Sequence, residues 1–143
     1  MNTDMIMGRK SNSPELDKIT ERILGCVFKV SNTLGSGFLE KVYENALLHE
    51  LRKDGLVVLP QYSLSVYYDG VVVGNFYFDL LVNEQVIIEL KAVSELNDDH
   101  LAQAFNYLRA SGLPACLLIN FGKPKVQYRR LYPSPAWNLS KPQ

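Results

Sequence analysis

The chain has 143 residues, 47% hydrophobic and 21% charged, and its fifteen basic and fifteen acidic side chains cancel. That length fits one globular domain able to bury roughly two thirds of its extended surface. The composition excludes an apolar run of the ~20 residues that span a bilayer, and a surface so cationic that it would grip polyphosphate by charge alone.

No N-terminal stretch has the charged, apolar and small-residue order of a signal peptide. Cys26 and Cys116 lie in apolar surroundings with no CxxC or histidine spacing. They read as two small buried hydrophobes in a reducing, cytoplasmic setting, and no membrane partner is expected.

Residues 1–14 are polar apart from scattered Met and Ile and are expected to form a frayed tail. From Pro14 and Glu15 to about Thr33, Leu16, Ile19, Ile23, Val27 and Val30 recur at helical intervals. Gly35 and Gly37 break that helix. A second runs from about Phe38 to Asp54, with Leu39, Val42, Tyr43, Ala46, Leu47 and Leu51 on its apolar side and Gly55 as a left-handed stop. The period then changes from helical to alternating over residues 62–68. Asp69 and Gly70 signal a two-residue hairpin turn, residues 71–82 return, and Asn83 with Glu84 makes the next turn into a strand over 86–91.

A helix is predicted over residues 96–110, capped by Asn97 or Asp98 and ending before Gly112 and Pro114. The continuous apolar run 115–119 suits a strand covered on both faces, and residues 126–131 form a more polar last strand. Three prolines after Leu131 predict an irregular tail over 133–143. The order is ααβββαββ in one domain, 15–132. The third helix is long enough for a crossover, which makes the strands before and after it parallel neighbours or near neighbours. The fold class is α/β, with a mixed central β-sheet flanked by α-helices.

Charge stands out where buried strands should have none. Asp79 ends an aromatic pattern, and Glu89 and Lys91 interrupt the apolar stretch 86–91. Strand side chains alternate, so Ile87, Glu89 and Lys91 share one face, and Val86, Ile88 and Leu90 the other. Unpaired buried charge costs several kcal/mol, so these groups need partners, water or a metal.

One tight turn brings Asp79 and Glu89 to the same end of the sheet. Two unit charges ~5 Å apart repel by roughly 3 kcal/mol at an effective dielectric of 20. A divalent cation reverses the sign, and hard oxygen ligands suit Mg²⁺ or Mn²⁺, with the Leu90 carbonyl as a further donor. Lys91 then stands beside the attacking water, placed to assist its deprotonation or to stabilise phosphate charge. No Ser or Cys stands with a histidine and a third orienting group, so phosphodiester hydrolysis fits better than acyl transfer.

On the second helix, Glu40 falls at the edge of the apolar stripe and can face the sheet margin as a ligand or water-holder, with Tyr43 packed beside it. Gln103 and Tyr107 are four apart on one face of the third helix, each able to donate to water or phosphate. His100, three before Gln103, reads as a helix-surface residue or, as the alternative, as a group near the mouth, and His49 reads as structural. Lys123, Lys125, Arg129 and Arg130, with Tyr128 among them, are either phosphate contacts or a solvated edge strand that resists aggregation.

Asp79 followed by Glu89, Leu90 and Lys91 resembles the PD-(D/E)XK nuclease superfamily, and Gln103 with Tyr107 resembles the QxxxY helix of its exonuclease-like and recombination-associated branches. Gly37, Glu40 and Tyr43 resemble the signature of the bacterial and archaeal GxxExxY proteins. The likeness runs from about Ile19 to Tyr132, with Gly74, residues 88–92 and residues 118–121 in register. It implies a restriction-endonuclease-like core that binds one or two divalent metals through Asp79 and Glu89, with Glu40 as a further acidic ligand and Lys91 catalytic. Phe78 stands where the superfamily's name has proline.

The leading function is therefore metal-dependent cleavage of nucleic acid, DNA ahead of RNA. A non-cleaving module that binds nucleic acid or protein is the alternative that neutral charge favours, and a small phosphate-ester hydrolase is a third. So small a domain has few phosphate contacts, which suggests either a homodimer, with Tyr67 or Tyr68 supplying an exposed contact, or a larger complex.

Overall fold

The computed structural model describes residue 11 and residues 13–139; of the expected N-terminal tail, 1–14, residues 1–10 and 12 lie outside the described residues, while Ser13 and Pro14 start the first helix. Helix α1 spans Pro14–Leu34. The Ser13 hydroxyl accepts the Leu16 amide, proline takes the first turn, and Glu15 and Asp17 sit at the positive end of the dipole. Helix α2 spans Glu40–Lys53, two residues later than its apolar pattern begins, because Leu39 is extended and caps it.

The strands are β1 (Val58–Tyr68), β2 (Val71–Val82), β3 (Val86–Lys91), β4 (Ala115–Asn120) and β5 (Gln127–Leu131), with α3 (Asp98–Ser111) between β3 and β4. They form one sheet in the order β1-β2-β3-β4-β5. Only β3 and β4 run parallel; the other neighbours are antiparallel. The fold is thus the expected α/β restriction-endonuclease-like one, a mixed sheet flanked by helices in the order ααβββαββ.

Two apolar clusters cover the two faces. Leu80, Val82, Val86, Ile88, Leu90, Leu117 and Ile119 pack beneath α1 and α2, while Phe78, Leu81, Ile87, Cys116 and Leu118 pack beneath α3. Both cysteines are free and buried. Among the described residues no helix is long and apolar enough to cross a membrane.

β1 begins four residues before the alternating pattern does. It includes Pro60, which is tolerated because β1 is an edge strand. The C-terminal tail, expected to be irregular, carries a short 3-10 helix, Pro135–Leu139, whose Trp137 ring meets Phe105 edge-on.

Buried Asn120 ties the segment after β3 to the segment after β4. Its Oδ1 accepts the amides of Val93 and Gly122 at 3.0 and 2.9 Å, and its Nδ2 donates to the Val93 carbonyl at 2.9 Å. A Cβ at Gly122 would lie 2.2 Å from that same carbonyl oxygen. Gly122→Ala is therefore expected to lower stability by about 2–3 kcal/mol, read as a drop in urea midpoint at unchanged m-value.

Candidate metal-dependent active site

The ladder between β2 and β3 covers only Leu80 to Val82. Asp79 is the next residue up, where the two strands part. Phe78 faces α3 while Leu80 packs under α1 and α2, so the alternation slips by one residue at Asp79. β1 is irregular at the same level: Pro60 pairs with Leu80 and Tyr62 with Phe78, while Gln61 between them has φ +49°.

At this slip the two carboxylates lock onto each other's backbone. Leu90 N–H donates to Asp79 Oδ2 at 2.7 Å, and Asp79 N–H donates to Glu89 Oε1 at 3.2 Å. Leu90, expected to offer its carbonyl, contributes its amide here. Lys91 lies on the α3 side, where its Nζ donates to Gln103 Oε1 at 3.3 Å. Tyr107 is buried, with its ring 5.3 Å from Phe76 and 5.4 Å from Phe78. Asp79, Glu89, Lys91, Gln103 and Tyr107 thus meet at one end of β3.

Burial pushes the Glu89 carboxyl up to about 8, helped by the Asp79 charge and opposed by the Asp79 amide and Lys91. Burial also raises Asp79, against the Leu90 N–H, with Glu44 and then Glu40 adding repulsion. Burial, and then the Glu89 and Asp79 charges, raise the Tyr107 hydroxyl.

Glu40 is exposed at the first turn of α2, and its charge reaches both Asp79 and Glu89. What places it there is Tyr43. The Tyr43 hydroxyl donates to the Gly35 carbonyl at 2.6 Å and accepts the Phe38 amide at 3.2 Å, and its ring stacks on Phe121 at 4.6 Å. Gly37 supplies the left-handed turn, φ +116°, that lets the loop fold back. Tyr43→Phe is expected to cost about 1 kcal/mol, because the partly buried bonds to the Phe38 amide and the Gly35 carbonyl are lost; a thermal melt checks it.

Sequence reasoning missed Glu44 and Gln61. Glu44 is 6% exposed, held by Lys41 Nζ at 3.0 Å and by Gln61 Nε2 at 3.1 Å to one oxygen and 3.2 Å to the other. This clamp from α2 holds β1 at its irregular residue, opposite Asp79. The signal available in the sequence was a glutamate on the buried side of α2, one turn after Glu40.

His100 serves elsewhere: its Nδ1 accepts the Asn97 amide at 3.1 Å in a capping box that starts α3. The basic stretch does not form one stripe. Lys123 is ion-paired to Glu95, and Arg130 lies over the Tyr128 ring. Arg129 pairs with Leu118 and Arg130 with Leu117, which places the two arginines on opposite faces. Lys125 is exposed.

Among the described residues no group of three or more His, Cys, Asp or Glu side chains is close enough to cage a metal. Asp79 and Glu89 still fit a hard cation that keeps several waters and takes one or two carboxylates from the protein. Each has one oxygen committed to an amide, and burial disfavours leaving both charged alone.

A family model for the PD-(D/E)XK nuclease superfamily matches residues 17–131, and the chain belongs to that superfamily. Among solved structures it is similar to SSO0001, with 13% identity and TM-score 0.51 over 85% of this chain. It is also similar to an alkaline exonuclease (LHK-Exo) from Laribacter hongkongensis, with 10% identity and TM-score 0.52 over 91% of this chain. The match spans 62% of SSO0001 and 75% of the exonuclease. At such identities the likeness is one of fold. No curated protein gives a significant match.

Proposed function

We propose that this chain is a cytoplasmic, divalent-metal-dependent nuclease of the GxxExxY branch, cutting phosphodiester bonds in nucleic acid, DNA before RNA. The observation that carries this reading is the side-by-side placement of half-buried Asp79 and buried Glu89, with Lys91 held by Gln103 on the α3 side. Asp79 and Glu89 would hold Mg²⁺ or Mn²⁺, with Glu40 reaching it from α2. Such an ion, when bound, offsets the carboxylate repulsion and polarises a phosphoryl oxygen.

The remaining roles belong to side chains. Lys91 Nζ directs a positive charge and a proton toward the attacked phosphate, and the Gln103 carbonyl oxygen fixes its direction. Tyr107 walls the α3 side, wedged against Phe76 and Phe78. Lys125 and Arg129 are left as the phosphate contacts of the basic stretch.

Labelled single- and double-stranded DNA and RNA, incubated with and without Mg²⁺ or Mn²⁺, test the reading. Cleavage with metal and its loss in Asp79→Asn are expected; no cleavage of any form with either ion refutes it. Binding without cleavage would select the non-cleaving module instead, a reading favoured by the lack of a third close carboxylate among the described residues.

Metal should also stabilise the fold by mass action. At ten times the dissociation constant the gain is about 1.4 kcal/mol, or roughly 4 °C in a domain of this size. Asp79→Asn should remove most of that shift in a thermal melt.

A further inference from the structure

The β1-β2 hairpin reaches well past the body it belongs to. Of β2 only Leu80, Leu81 and Val82 pair with β3, so most of β2 has β1 as its sole strand neighbour. Around the Asp69–Gly70 turn stand Tyr67 (43% exposed), Tyr68 (74%), Val71 (62%), Val72 (48%) and Val73 (60%), with Tyr77 (58%) further along. The register shifts between Val66 and Tyr67, leaving Val73 as the extra residue on β2. Valines consecutive in sequence point to both faces of a strand, so both faces of the ribbon tip are apolar. No folding of the ribbon onto its own domain can cover both.

A two-stranded ribbon in water is marginally stable, and monomers rarely expose an apolar patch larger than a few hundred Å². At about 100 Å² or more apiece, these six side chains and their backbone present roughly 700 Å². That is close to the ~800 Å² per partner of a standard stable interface.

We infer that the distal β1-β2 hairpin, from Tyr67 to Tyr77, is the isologous interface of a homodimer, docking on the same hairpin of a second copy. Charge selects that occupant. From residue 58 to 78 the hairpin has no Lys or Arg and one acid, Asp69 at the turn, so a phosphate backbone finds no cation there. A second copy docked antiparallel meets an apolar patch with an apolar patch and sets the two Asp69 carboxylates, one at each turn, at opposite ends. Two ribbons that wrap antiparallel around a two-fold axis then bury valines and tyrosines of both faces in both copies. The interface uses none of Asp79, Glu89 or Lys91, so it stands or falls independently of the nuclease reading.

The test is size-exclusion chromatography with light scattering on the full chain at about 50 µM, since dimers follow mass action. The expected mass is twice 16.2 kDa. Val72→Lys should raise the dimer dissociation constant at least tenfold and elute as one chain, with an unchanged far-ultraviolet circular dichroism spectrum. Lys125→Glu, near the opposite edge of the sheet, should remain a dimer. If Val72→Lys fails to fold, Tyr68→Ser answers in its place, because that side chain is 74% exposed and its loss leaves the core intact. A wild-type chain that is monomeric at 50 µM overturns the inference, whether or not it binds lipid vesicles or nucleic acid. So does a dimer that survives substitution in a well-folded hairpin variant.

Discussion

Lys91→Ala is expected to cut metal-dependent cleavage by about a thousandfold, the middle of the range for losing a positioned proton-transfer or charge-stabilising group. Its fold and melting temperature should be nearly unchanged. Lys91 lies at the end of β3 and is only half-buried, and its side-chain partner is the Gln103 amide, not a buried carboxylate. Its removal breaks no ion pair and takes from Glu89 and Asp79 only a minor charge attraction.

Gln103→Ala should be milder, about tenfold, because Lys91 keeps its charge and loses only its direction. The two variants separate chemistry from positioning. If Lys91 acts on the transition state, kcat falls and KM stays; if it merely holds substrate, KM rises and kcat stays. Equal activity of Lys91→Ala and wild type, in the presence of metal, would remove Lys91 from the mechanism.

The parts of the fold and site that were legible in the sequence are those written in local chemistry. Asp69-Gly70 and Asn83-Glu84 make turns that need positive φ, and Asp69, Gly70, Asn83 and Glu84 have it, at 54°, 77°, 50° and 57°. Gly112 takes the left-handed cap of α3 at φ 70°. Charges inside apolar strands marked Asp79, Glu89 and Lys91, because burial of such groups demands a reason.

What escaped depends on contacts between distant segments. Nothing local announces that Gln61 will adopt φ +49° or that Glu44, seventeen residues earlier, will grip its amide with both oxygens. The one-residue slip at Asp79 is similarly invisible. A regular strand would put Phe78 and Leu80 on one face, and only the packing of three helices on two faces pulls them apart. The four basic residues near β5 looked like one patch because sequence proximity hides which face each occupies.

Glu89→Gln is expected to make the metal-free protein more stable at alkaline pH while abolishing its response to Mg²⁺ or Mn²⁺. In the folded chain Glu89 holds its proton up to about 8, against 4.5 when solvated. Between those values the native state binds a proton that the unfolded chain has released, so wild-type stability falls as pH rises through that window and levels off above it. One carboxyl raised by this much is worth on the order of 3–5 kcal/mol, or roughly 10 °C, at pH 9.

Glutamine keeps the oxygen that accepts the Asp79 amide and carries no charge to desolvate. It also relieves Asp79 of its neighbour's repulsion. The variant should therefore match wild type near pH 4.5 and melt progressively higher than it up to pH 9. Saturating metal should close that gap from the other side, by stabilising wild type alone. Melting curves at half-unit pH steps, each with and without metal, contain both comparisons. Parallel pH profiles for the two proteins would mean that Glu89 is solvated and ionised in the native state. The charge strain on which the proposed cation site at Asp79 and Glu89 rests would then be absent.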